Sequence, residues 1–223
     1  MTLNLYYWSI RGLNEFLVTL AEYVGIQYKY HKVADRETWN VEKQVLVSKG
    51  FEFPNLPYTE HNGQYLSESI AILTQIAILG KREDLVPSAA QIVRFLELNG
   101  VISDLAGAIT GPGYSAKSNE ELQAAIQATI NRYPTRIPSL VALVTKHTWI
   151  LGDNLSILDF KFAEVVERML DMDKEVGLKG FGVDLTPLRA YLDSFLALPK
   201  VKEYRASDRF NARPYNNFFA FWK

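Results

Sequence analysis

Asn55-Leu56-Pro57-Tyr58-Thr59-Glu60-His61-Asn62-Gly63-Gln64-Tyr65-Leu66-Ser67-Glu68-Ser69 is the stretch that decides the fold. Asn62-Gly63 tolerates the two positive φ angles of a type I′ turn, so the runs on either side read as an antiparallel hairpin. Ser69 then precedes Ile70, Ala71, Leu73, Ile76 and Ala77, an apolar face at helical spacing that stops at Gly80. Upstream, Leu3 to Trp8 is apolar and aromatic. After Gly12, the residues Leu13, Phe16, Leu17, Leu20, Ala21 and Val24 recur at helical spacing until Gly25. Gln27 to Val33 reads as a second strand, and Ala34 to Gly50 as a polar, irregular stretch with room for one short helix.

The first third therefore spells β-α-β-β-β-α, an α/β arrangement of thioredoxin-like type, expected over residues 1–84. Lys81 to Ser88, polar and containing Pro87, reads as the linker. Beyond it the strand signals stop. Ile92 to Ile109, Glu120 to Arg132, Ser139 to His147, Ile157 to Met172 and Pro187 to Leu198 read as helices, so residues 85–223 are expected to form an all-α domain. One helix start is explicit: Ser156 and Asp159 make a capping box, with Leu155 and Phe160 as its hydrophobic staple. Asp159 is read as structural, and its loss should cost of order 1 kcal/mol or more.

Composition narrows the function. Across 223 residues, 24 Lys and Arg nearly cancel 25 Asp and Glu, and neither sign gathers into a block that would suit nucleic acid or an anionic membrane. No run of about eighteen apolar residues suggests a membrane span, and no basic stretch precedes an apolar one at the start, so a cytoplasmic protein is expected. With no cysteine, disulfides, thiolate metal sites and a cysteine nucleophile are excluded. Any thiol chemistry must use a thiol that is brought in. His31, His61 and His147 lie far apart without metal-ligand spacing, so no metal is expected.

In a thioredoxin-like sheet, the end of the first strand, the loop before Pro57 and the helix start at Ser69 share one edge. A cis bond before Pro57 would leave the amide and carbonyl of Leu56 open to an extended peptide. The free amides and dipole at Glu68-Ser69 suit a carboxylate. Arg36, Trp39 and Lys43 offer two cations and an indole donor for a second one. The tripeptide glutathione carries a carboxylate at each end and peptide bonds between.

Here the residues resemble a known family. Tyr7-Trp8-Ser9-Ile10-Arg11-Gly12-Leu13 and Phe53-Pro54-Asn55-Leu56-Pro57-Tyr58 are similar to stretches of mu-class glutathione transferases. The resemblance continues through Asp35 to Lys43, Glu68 to Leu73, Gly152 to Phe160 and Ser207 to Phe210, and it spans essentially the whole chain. Between Val33 and Asp35 the extended mu-class loop is missing. The resemblance implies reduced glutathione as co-substrate and Tyr7 as the catalytic hydroxyl. It assigns glutathione binding to Tyr7, Trp8, Arg36, Trp39, Lys43, Asn55, Leu56, Pro57, Glu68 and Ser69, with Asp104 reaching the partner subunit's glutathione. It also implies a homodimer, with Phe53 inserted into the partner.

Tyrosine suits the role because a pKa near 10 leaves its O–H protonated and ready to donate at pH 7. Tyr6 is the confounder, but neighbouring strand residues point to opposite faces, and only one of the two can aim at the site. The electrophile is expected between the domains, against Ile10, Leu13 and Tyr114, with Asn216 and Asn217 closing the cleft. Tyr114 follows Gly111-Pro112-Gly113, and the resemblance implies that its hydroxyl can hydrogen-bond the electrophile, the alternative being a loop aromatic packed for stability. The paired asparagines suggest a preference for electrophiles that hydrogen-bond. A binding or structural protein that kept the fold, and a glutathione-dependent isomerase or peroxidase, remain as alternative readings.

Overall fold

Alternation along Leu3–Trp8 (β1) buries Leu3, Leu5 and Tyr7 and leaves Asn4, Tyr6 and Trp8 half-buried, the period-two pattern of a strand between two layers. The computed structural model describes residues 2–178 and 180–223. Tyr28–Val33 (β2) runs parallel to β1. Tyr58–His61 (β3) runs antiparallel to it, and Gln64–Ser67 (β4) completes one sheet in the order β2-β1-β3-β4. The hairpin turn forms as expected, with φ of 54° at Asn62 and 78° at Gly63. Glu15–Val24 (α1) and Ser69–Leu79 (α3) pack together, and Leu3 and Leu5 join their buried side chains in one core.

The stretch expected to be irregular with room for one short helix holds a helix of 13 residues, Arg36–Ser48 (α2), capped by the Asp35 carboxylate, which accepts from the Thr38 amide at 2.8 Å. Only Trp39 and Leu46 of this helix are buried, so its apolar face is too thin to show as a stripe in the sequence. A second core cluster, containing Tyr7, Trp39, Leu56 and Tyr58, joins α2 to the sheet.

The rest of the chain is helical: Ile92–Ser115 (α4), Asn119–Arg132 (α5), Arg136–Lys146 (α6), Ile157–Val176 (α7), Thr186–Leu196 (α8) and Pro199–Arg205 (α9). Two expectations are corrected here. Gly111-Pro112-Gly113, expected beyond a helix ending at Ile109, lies instead inside the last turns of α4, and Gly113 meets the tail through its carbonyl, which accepts from the Trp222 amide at 3.1 Å. The third helix of this half begins at Arg136, not Ser139. α7 is buried almost all round, including Asp159, Lys161, Glu164 and Arg168. Asp159 does more than cap it: besides the Ser156 amide and hydroxyl, the Ile150 amide and Tyr191 hydroxyl donate to it at 2.8 Å.

Candidate active site

The turn after β1 brings Tyr7 against the backbone that follows it. The Leu13 amide donates to Tyr7 Oη at 3.0 Å, so a lone pair of the phenol is occupied and its own proton remains free to donate. Gly12 makes this approach possible. Its φ is +44°, and a Cβ there would lie 2.5 Å from Tyr7 Oη. The turn is clamped by the tail, since Pro214 and Tyr215 carbonyls accept from the Arg11 and Gly12 amides at 2.9 and 3.1 Å.

Tyr7 is 6% exposed, and burial pushes its pKa up to about 12, with the Leu13 amide and the charge of Arg168 pulling the other way. It is a neutral donor across the physiological range. Tyr6 takes the opposite face, stacked between His31 and Tyr58 at centroid separations of 4.4 and 4.3 Å.

Leu56 lies beside Tyr7 in the same cluster, followed by a cis peptide bond to Pro57. Among the described residues neither the amide nor the carbonyl of Leu56 has a hydrogen-bond partner. Glu68 precedes α3 with φ of 69°, an uncommon conformation for a non-glycine residue, and no side chain caps the amides of the helix it opens. Ser67 Oγ donates to the Phe53 carbonyl at 2.7 Å, tying this helix start to the loop that carries Asn55, and the Phe53 side chain is 73% exposed. Arg36, Trp39 and Lys43 share one face of α2 by their spacing. Trp39 is buried with its ring 6.1 Å from that of Tyr58, whereas Arg36 and Lys43 are exposed. Trp8 is half-buried, and its carbonyl accepts from the Tyr30 hydroxyl.

Opposite Tyr7, the Asn217 amide donates to Tyr114 Oη at 3.0 Å, and the Tyr114 hydroxyl is near enough to Tyr7 to bear on its ionisation. Ile10 is buried, while Leu13 is 41% exposed. Asn216 does not stand in the cleft wall beside Asn217: it is 1% exposed, with Nδ2 donating to the Trp222 carbonyl at 3.0 Å, and it anchors the tail. Asp104 is held within its own chain by Arg136 Nη1 at 2.7 Å.

Two contributions escaped the sequence. Phe219 packs 5.5 Å from the Tyr114 ring, and Phe218 packs edge-on to Phe219, both largely exposed. Arg168, buried on α7, donates to the Gly12 carbonyl at 3.0 Å and to Thr110 Oγ1 at 2.7 Å, which stiffens the turn under Tyr7. Nothing in the sequence distinguishes it from a solvated arginine.

Residues 3–77 match the family model described as the N-terminal domain of glutathione S-transferase, and residues 104–208 match that of its C-terminal domain. Full-length relatives include glutathione S-transferase Mu 1 of Bos taurus, 30% identical across all of this chain and 99% of the relative. Glutathione S-transferase Mu 2 of Homo sapiens is 29% identical over the same shares of the two chains. A solved structure described as the glutathione S-transferase Blo t 8 superposes with a TM-score of 0.79 at 26% identity, covering 98% of each chain.

Proposed function

Because the chain belongs to the glutathione S-transferase family, we propose that it joins the sulfur of reduced glutathione to small hydrophobic electrophiles, with Tyr7 holding that sulfur as the thiolate. The observation that carries this reading is the Tyr7 hydroxyl, which accepts from Leu13 and keeps its proton free. A thiol with a pKa near 8.5 is only about 3% ionised at pH 7. One hydrogen bond to a charged group contributes about 1.5–3 kcal/mol, which lowers that pKa by roughly one to two units and raises the thiolate fraction to roughly a quarter to three quarters. The thiol proton leaves to solvent. The sulfur lone pair then forms the C–S bond as the leaving group departs or the electrophile's π electrons move away.

The open amide and carbonyl of Leu56 pair with the ligand's backbone as an added strand would. The uncapped amides at Ser69, with its hydroxyl, receive one carboxylate, and Glu68 receives the ammonium group. Arg36, Lys43 and the Trp39 indole serve the other carboxylate, with Trp8 and Asn55 at the margin. Ile10, Leu13, Tyr114 and Asn217 line the electrophile side. With Asn216 turned inward and Phe219 against Tyr114, that side is more aromatic than polar, which favours electrophiles carrying an aromatic ring over those chosen for hydrogen bonding. Phe53, exposed on a tethered loop, fits insertion into a second copy, so the working unit is a homodimer. A cytoplasmic setting, where reduced glutathione is at hand, completes the reading. Among the described residues no helix is long and apolar enough to cross a membrane.

The test assays purified protein with glutathione against an aryl halide, a peroxide and an enone. The proposal expects conjugation of the aryl halide and retention on immobilised glutathione. Inactivity with all three substrates, together with failure to bind the column, would show a non-enzymatic relative.

A further inference from the structure

A cleft of about 820 Å³ lies between α1, the edge strand β2 and α9; Ile10 is on its wall as well as on the electrophile side, but neither Tyr7, Leu56, Ser69 nor Tyr114 lines it. Glu15 forms part of its wall and is 4% exposed. Its Oε1 accepts from the Tyr204 hydroxyl at 2.8 Å and from Thr19 Oγ1 at 3.4 Å. Its Oε2 takes no hydrogen bond from any described residue, and no cationic nitrogen among them lies within 4.0 Å of the carboxylate. The other buried acids are served: Glu164 by Arg11, and Asp159 by its four donors. A buried carboxylate without a directly paired cation is costly, and this one keeps a free oxygen on the wall of a cleft.

The neighbouring Asn14, on the same wall, has a buried Oδ1 with no partner. Most other charges there are already matched, Glu22 with Arg209 and Glu203 with Lys200, each at 2.9 Å. Lys32 extends over the Tyr30 ring, 5.9 Å from its centroid. Tyr28 and Tyr30 supply a flat, largely apolar surface beside these acceptors.

We propose that this cleft is a second ligand site, separate from that of glutathione, which takes an organic ammonium ion borne on an aromatic body. The N–H donors go to Glu15 Oε2, with Asn14 Oδ1 as the second acceptor, and the ring lies against Tyr28 and Tyr30. Burial and the charge of Glu164 push the Glu15 carboxyl up to about 7, against the pull of Arg11, the Tyr204 hydroxyl and Arg205. The groups around it are Arg11 and Glu22 beside and on α1, Glu164 on α7, Tyr28, Tyr30 and Lys32 on β2, Lys200, Glu203, Tyr204 and Arg205 on α9, and Arg209 beyond it. A cation therefore binds more tightly at pH 8, where the carboxylate predominates, than at pH 6.

Calorimetric titration of the whole protein at pH 8 with tryptamine, and with the uncharged tryptophol, tests this. The expected result is tryptamine binding at least tenfold tighter than tryptophol, undisturbed by saturating glutathione and weakened at least tenfold by Glu15→Gln, while turnover of the aryl halide by that variant is unchanged. Equal affinity for the two probes, displacement of tryptamine by glutathione, or full affinity in the variant would overturn the assignment. Should the variant not fold, amide NMR shifts in the unaltered protein decide: shifts at Glu15, Tyr28 and Tyr30 support the site, and shifts confined to Tyr7 and Tyr114 refute it. An inactive protein that still bound tryptamine through Glu15 would sink the transferase reading and leave this one standing.

Discussion

Tyr7 and Glu15 stand on either side of the same turn, both almost wholly buried, and burial is the largest influence on the ionisation of each. The consequences are opposite. Tyr7 is pushed to about 12, away from physiological pH, and becomes a donor indifferent to it. Glu15 is pushed to about 7, into that range, and becomes a group that titrates. Desolvation favours the neutral form of both. What differs is the starting pKa and the partners: the phenol oxygen accepts from an amide, whereas the carboxyl keeps a free oxygen and has no ion-pair partner within 4.0 Å among the described residues.

Asp159 gives the comparison its outer limit, as a buried acid with four donors. Asp159→Ala strands the Ile150 and Ser156 amides and the Tyr191 hydroxyl, and should cost about 3–5 kcal/mol in denaturant unfolding. A loss below 1 kcal/mol would mean that only the cap matters. Glu15→Gln is expected to act through pH. Below about 4.5 both folded and unfolded chains hold the proton. Between there and about 7 the unfolded chain releases it first, so stability falls as pH rises. Relative to Glu15→Gln, the unaltered protein should lose up to about 3 kcal/mol across that window, at about 1.4 kcal/mol per pKa unit. Parallel stability curves for the two proteins would remove the contrast with Tyr7.

Tyr7→Phe should retain glutathione binding and lose roughly ten- to hundredfold in conjugation near neutral pH, the kinetic equivalent of about 1.5–3 kcal/mol. Raising the pH toward the free thiol's own pKa should restore much of that loss. The smallest effect is expected from Tyr6→Phe, whose ring stacks on the other face of the sheet, with conjugation rates changed less than twofold. Equal activity in the two tyrosine variants would end the assignment of Tyr7.

The strand alternation that separates Tyr6 from Tyr7, the Asn62-Gly63 hairpin, the cap at Ser156 and the helix start at Ser69 were all legible in the sequence. Each depends on residues close together in the chain, where spacing and turn chemistry are enough. α2 was allowed for only as one short helix in an irregular stretch, because it buries only Trp39 and Leu46 and exposes Val41, Val45 and Val47, leaving no apolar stripe to read. Asn216 was placed in the cleft because a tail without periodicity does not say which way its side chains turn.

From its residues alone, the chain determined a β-α-β-β-β-α unit followed by helices, the tyrosine at the end of the first strand and the backbone groups around Leu56 and Ser69. Only the tertiary structure decided that Arg168 braces the turn beneath that tyrosine, that Asp159 serves two donors beyond its cap, and that Glu15 is buried without an ion-pair partner within 4.0 Å among the described residues. The physical reason is that a charged residue on a helix reads as solvated until its surroundings are known. In α1 and α7 those surroundings come from distant parts of the chain.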